Sequence, residues 1–191
     1  MSHSTGTAAD VNWMIDDYFE QLLKTDREEF GYALELMAES KEGRDWILDE
    51  DCLHDLIDFC SSLLASDNQW TGSNAALVLA RLSISDRGCS KLANHTQAAT
   101  LLSRLCRALG CDEAGRGMNA AFALGRLVDT PLVSTLSGAP CSLLERLSTD
   151  DLNWMVRDLA DMTASSDGQS AAADAGSAKN ACFCLSCLAG S

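Results

Sequence analysis

The sequence predicts an all-α chain, and three observations carry that reading. Ala, Leu, Ser and Asp dominate a composition with two prolines, Pro131 and Pro140, and few of the β-branched residues that favour strands. Apolar residues recur at spacings of three and four along most of the chain, the period of a helix that buries one face. A nine-residue apolar segment that opens on asparagine occurs three times, as Asn74–Leu82, Asn119–Leu127 and Asn180–Leu188. With 47% hydrophobic residues, the 191-residue chain has enough core material for one domain or one stack of repeats.

The elements follow in order. Residues 1–9 are polar and read as a disordered start. Asp10 is placed to cap a helix over residues 10–25, with Val11, Met14, Ile15, Tyr18, Phe19, Leu22 and Leu23 on one side and Asp16, Asp17, Glu20 and Gln21 opposite, a suitable N-terminal cap for a stack. A second helix runs from Asp26 to about Ser40, turns Phe30, Ala33, Leu34 and Met37 inward, and is broken by Gly43. A short helix around Trp46, Ile47 and Leu48 leads to a longer one from Cys52 to Ala65, whose stripe is Leu53, Leu56, Ile57, Cys60, Leu63 and Leu64. Ser66-Asp67-Asn68 is a turn, and Gly72 or Ser73 opens the first motif helix. A break at Gly88, a short segment around Leu92 and a helix from Thr96 to Leu109 then lead, past Gly117, to the second motif helix. The Ser, Ala, Asp and Gly stretch at about 165–177 reads as a flexible insertion before the third.

Asn74 and Asn119 lie 45 residues apart and Asn119 and Asn180 lie 61 apart; a weaker forerunner, Gly31–Glu39, starts 43 residues before Asn74. A helical period of about 40–47 residues marks armadillo and HEAT solenoids. The motif Asn-Ala-Ala-Phe-Ala-Leu at Asn119–Leu124 resembles the third helix of armadillo repeats, whose usual form reads x-A-A-W-A-L-S-N-L-A. Leu53-His54-Asp55-Leu56-Ile57 and Ala99-Thr100-Leu101-Leu102 are similar to that family's second helix. The resemblance covers about Phe30 to the end. It implies a right-handed superhelical armadillo-like (ARM/HEAT-type) stack of three to four repeats over residues 26–191, acting as a non-catalytic protein-binding scaffold or adaptor. The sequence departs from the family's peptide-clamping ladder. Leu77, Phe122 and Phe183 stand at its Trp position, and Arg81, Arg126 and Cys187 at its Asn position. Basic-signal binding by the import-adaptor mechanism is therefore not implied.

Charge narrows the partners. The net charge of −14 argues against a broad nucleic-acid surface and against an acidic membrane leaflet. The acids around Asp45, Asp49, Glu50, Asp51, Asp55 and Asp58 lack the spacing of a calcium loop and read as a solvated face able to attract a basic segment. Residues 1–9 have no signal-peptide pattern, and no apolar run is long enough to span a bilayer. Nine cysteines, an odd number set mostly in helical patterns such as Cys60, Cys106 and Cys184, suggest a reducing compartment: the cytoplasm, with the nucleus left open.

The groove candidates are Arg81, Arg126, Phe122, Asn74 and Asn119. Two guanidinium groups at equivalent positions could grip an acidic or phosphorylated partner segment; the alternative is that each pairs with a local acid such as Asp86 or Asp129. Phe183, Cys187 and Leu188 are candidates for an open C-terminal face, because an internal repeat leaves an apolar face for its neighbour. They support the alternative function, a structural or regulatory segment that stacks end to end with itself or with a larger assembly. No catalytic residue, metal or cofactor is expected. Cys182, Cys184 and Cys187 fit small buried helix positions better than a zinc knuckle, since Cys182 replaces Ala76 and Ala121 and Cys184 replaces Val78 and Ala123. His3, His54 and His95 read as surface residues, and nothing favours pairing Cys52 or Cys89 with His54 or His95. Trp13, Trp46, Trp70 and Trp154 read as core, with Trp70 a possible contact residue in a loop.

Overall fold

The computed structural model describes residues 27–49, 53–111, 115–133, 140–164 and 171–190. The expected disordered start, capping helix and Trp13, together with Cys52 and residues 165–170, lie outside the described residues. The chain is all-α in character. Its helices are α1 (Arg27–Glu39), α2 (Lys41–Asp49), α3 (Leu53–Leu63), α4 (Gln69–Leu82), α5 (Asp86–Ala93), α6 (Ala98–Ala108), α7 (Arg116–Val128), α8 (Thr149–Ala164) and α9 (Ala171–Gly190). Between α7 and α8 lie a two-residue antiparallel pairing, Leu132–Val133 (β1) with Pro140–Cys141 (β2), and a 3-10 turn at Leu143–Arg146.

Two layers run through the molecule. The motif helices form one: α4 packs on α1, α7 on α4 and α9 on α7. Helices α3, α6 and α8 form the other, with α6 on α3 and α8 on α6. The core lies between them, and Leu34, Ile57, Leu79, Leu102, Leu124 and Leu159 are all buried there. Removing these side chains from water is the main force holding the layers together.

The short helices α2 and α5 are built alike. The Ser40 hydroxyl accepts from the Gly43 amide at 2.9 Å, and the Ser85 hydroxyl accepts from the Gly88 amide at 3.0 Å. A Cβ at Gly43 would overlap the carbonyl oxygen of Met37, and one at Gly88 that of Leu82. These glycines therefore do not break helices, as the sequence suggested. Each lies inside a short helix and lets it turn tightly off the long helix before it. Thr130 falls 45 residues after Ser85, but Pro131 follows it and Val133 takes the glycine position. A Cβ cannot be placed in that tight turn, and α7 is followed by β1, β2 and the 3-10 turn, whereas a short helix follows α1 and α4.

Two other boundaries differ from expectation. Helix α4 begins at Gln69 because the Asn68 side chain caps it, accepting from the amides of Trp70 and Thr71 at 3.0 and 3.2 Å. Gly72, expected near the start, lies within the helix, where the Arg116 guanidinium occupies the space a side chain would need. Helix α9 begins at Ala171, so the second half of the stretch read as flexible is helical. That stretch is rich in alanine, the strongest helix former.

Candidate partner-binding surface

The motif helices carry matching rows of residues at spacings of four and three, so each row shares one side of its helix. On α4 the row is Trp70, Asn74, Leu77 and Arg81; on α7 it is Asn119, Phe122 and Arg126; on α9 it is Gly176, Asn180, Phe183 and Cys187. Trp70 is exposed, and the other named residues of the three rows are half-buried. Arg81, Arg126 and Asn180 of the rows bond residues earlier in the chain, and Phe122 is also covered by Phe183 of α9.

The rows differ in the partners they bond. Arg81 Nη1 donates to the Glu35 carbonyl at 2.6 Å and to Glu35 Oε1 at 2.9 Å. Arg126 Nε donates to the Ser83 carbonyl at 3.0 Å, and its Nη2 to Asp86 Oδ1 at 2.8 Å. Asn180 Nδ2 donates to the Met118 carbonyl at 3.0 Å. Phe183 stacks on Phe122 with ring centroids 5.8 Å apart and covers Gly125, where a Cβ would stand 2.7 Å from the Phe183 ring.

Both arginines thus pair within the chain, and the two pairs differ. Arg81 and Glu35 are both largely covered, with side chains 20% and 16% exposed. Asp86 is fully exposed, so the Arg126–Asp86 pair is screened by water and holds little energy that a partner carboxylate would have to replace.

At the C-terminal end the structure reorders the expected open face. Phe183 turns towards α7, Leu188 packs against the core, and Cys187 lies near Asp129 and Arg126. The exposed side of α9 carries Lys179, Cys182, Ser186, Ala189 and Gly190. Cys182 is therefore not in a buried position, although its counterparts Ala76 and Ala121 are: the side of α9 it occupies meets no further motif helix among the described residues. Cys184 is buried, and burial pushes its thiol up to about 12, as it does for Cys60 and Cys106.

His95 is buried, against the expectation of a surface residue. Its Nδ1 accepts from the Gln97 amide at 3.2 Å, and its Nε2 faces Asp58 Oδ1 at 3.7 Å. The His54 ring lies against it, with centroids 4.9 Å apart. Cys89 donates to the Ser83 carbonyl at 2.9 Å, and burial pushes its thiol up, away from the thiolate form a nucleophile needs. Among the described residues no three His, Cys, Asp or Glu side chains are arranged to hold a metal ion.

The acidic face is partly paired: Arg87 binds Asp49, and Lys41 binds Asp45 at 2.5 Å. Trp70 is 64% exposed, and Trp154 is partly exposed beneath the Arg107 guanidinium, 4.7 Å from its ring centroid. Sequence reasoning missed Tyr32 and Leu36 of α1, both exposed. Their signal was in the caps. Ser40, Ser85 and Thr130 recur every 45 residues, and that offset aligns Tyr32 with Leu77 and Phe122, and Leu36 with Arg81 and Arg126. Anchoring the forerunner on Gly31 and Asn74 placed α1 two residues out of register. Comparison of the chain with protein-family models, curated proteins and solved structures finds no match. No described helix is long and apolar enough to cross a membrane.

Proposed function

We propose that the chain is a non-catalytic protein-binding scaffold or adaptor, a right-handed armadillo-like stack that holds a partner peptide or helix against its motif helices. The observation that carries this reading is the register of the half-buried rows. Asn74 and Asn119, and Leu77 and Phe122, are 45 residues apart on helices that pack together, with Trp70 exposed at the start of one row. Such a strip offers apolar area together with amide donors and acceptors, the mixture that recognises an extended segment or a helix face.

Arg126 is the charged group best suited to a partner's acidic or phosphorylated side chain, because its present acid is fully exposed. Arg81 is more deeply engaged and belongs to the join between α1 and α4. A basic segment could also approach the acids of α2 and α3. The reading includes no enzyme activity, no cofactor, no nucleic acid and no membrane, and the chain's composition suits the cytoplasm.

The test is to capture a partner with the full chain, identify it, purify it and bind it back. Asn74→Arg and Asn119→Arg are expected to weaken that binding about tenfold or more, and Asn153→Arg on the exposed side of α8 to leave it unchanged. Equal binding by all three variants would overturn the proposal.

A further inference from the structure

We propose that the two ends of the motif-helix layer are complementary halves of one interface, and that a second copy of this chain docks α1 onto the outer side of α9, head to tail. This inference stands apart from the groove reading and uses different residues.

The argument starts from the interface between α7 and α9. There, Phe183 of one helix fills the space over a glycine of the other. Phe183 of α9 sits on Gly125 of α7, and the receiving side of α7 runs Met118, Ala121, Gly125, Val128 and Asp129. The motif alignment places Lys179, Cys182, Ser186, Ala189 and Gly190 of α9 at the same positions as those five. All five α9 residues are exposed, whereas Ala121 and Gly125 are buried. The outer side of α9 is thus a receiving side in the register already used by α7, with Lys179 followed by the small residues Cys182, Ser186, Ala189 and Gly190.

The bulky row is at the other end. Tyr32 and Leu36 align with Phe122 and Arg126, and so with Phe183 and Cys187, the residues that reach onto the preceding motif helix. They are 56% and 49% exposed. The chain therefore exposes the donor row of the repeating contact on α1 and its receiving side on α9. Docking one on the other would copy the contact that α9 makes on α7, in a layer whose helices also pack in the pairs α1 with α4 and α4 with α7. The contact is heterologous, so it propagates into open oligomers unless the rotation between copies closes a ring.

The test uses the full chain under reducing conditions, because Cys182 is exposed and a disulfide would mimic the contact. Sedimentation velocity over a range of concentrations is expected to show the wild type forming dimers and higher species. Tyr32→Glu/Leu36→Glu removes the donor row and Ser186→Arg blocks the receiving side, so each variant alone is expected to associate at least about tenfold more weakly. Mixed one to one, the first variant still offers its α9 and the second its α1, and they are expected to form a heterodimer that stops at two chains. Circular dichroism melts of the variants confirm that they fold.

Three results would overturn the proposal: a wild type that stays monomeric at the highest concentration; variants that associate like the wild type; or folded variants whose mixture yields no heterodimer.

Discussion

At the scale of single residues, glycine and cysteine show how much the surroundings decide. Replacing glycine by alanine inside a helix ordinarily stabilises by about 1 kcal/mol. At Gly88 the sign reverses, because the new Cβ would overlap the Leu82 carbonyl and force α5 away from α4. Gly88→Ala is expected to destabilise by about 1–3 kcal/mol, the usual range for overpacking, while Gly190→Ala, with nothing within 4 Å of its Cβ, stays within about 0.5 kcal/mol. Urea unfolding of both variants checks the pair. Cysteine gives a pH signature. Burial holds the Cys60, Cys106 and Cys184 thiols at about 12, against an ordinary 9.0. The folded values lie above the unfolded one, so this contribution to stability is complete below about pH 9 and is lost as the pH rises from there towards 12. Above pH 9 each of these thiols is expected to lower stability by about 1.4 kcal/mol per pH unit. Urea midpoints between pH 8 and pH 10.5 should fall, and more gently in Cys60→Ala than in the wild type. An equal slope in the two would show that Cys60 ionises in the folded chain as readily as in the unfolded one.

At the scale of elements, the joins between helices are polar as well as apolar. Arg81 of α4 holds both the carbonyl and the carboxylate of Glu35 on α1, and all three groups are largely covered. Arg81→Met keeps the length of the side chain and leaves Glu35 without those bonds. The expected cost is about 1–3 kcal/mol in a urea titration, with Arg126→Met costing less because Asp86 returns freely to water. Helix identity and order were legible in the sequence, since three- and four-residue spacing reports directly which side is buried. Leu53, Leu56, Ile57, Cys60, Leu63 and Leu64 all proved buried as one stripe. What was not legible depended on contacts between elements. Gly43 and Gly88 look like helix breakers until the preceding carbonyl is seen in the way of a Cβ. His95 looks like a surface residue until α3 and α6 close around it. The ends of α9 and of the third unit depended on alanine content and on Val133, signals too weak to outweigh the composition of the insertion or the expectation of another short helix. The rows were half legible: the alignment found Arg81 and Arg126, but their acceptors on the preceding unit are 40 or more residues away in sequence.

At the scale of the whole molecule, the packing order makes cooperativity the open question. Each motif helix meets the one before it, so a change at one end of the layer should reach the other through the intervening helices. Phe183 is the place to measure this, because it fills the space over Gly125 and stacks on Phe122, joining α9 to α7. Phe183→Ala is expected to remove about 2–4 kcal/mol from that join, the lower part of the range reflecting a ring that is only half-buried. Hydrogen exchange followed by mass spectrometry then separates two behaviours. If stability is held between neighbours, amides of α9 and of the end of α7 exchange faster by about 30-fold or more, while those of α3 and α4 keep their wild-type protection. If the chain unfolds as one unit, every helix loses protection by the same factor. The first result is expected, because the described contacts of α9 are concentrated on α7 and α8 and those of α1 on α2 and α4, leaving the two ends joined through α4 and α7 in the middle.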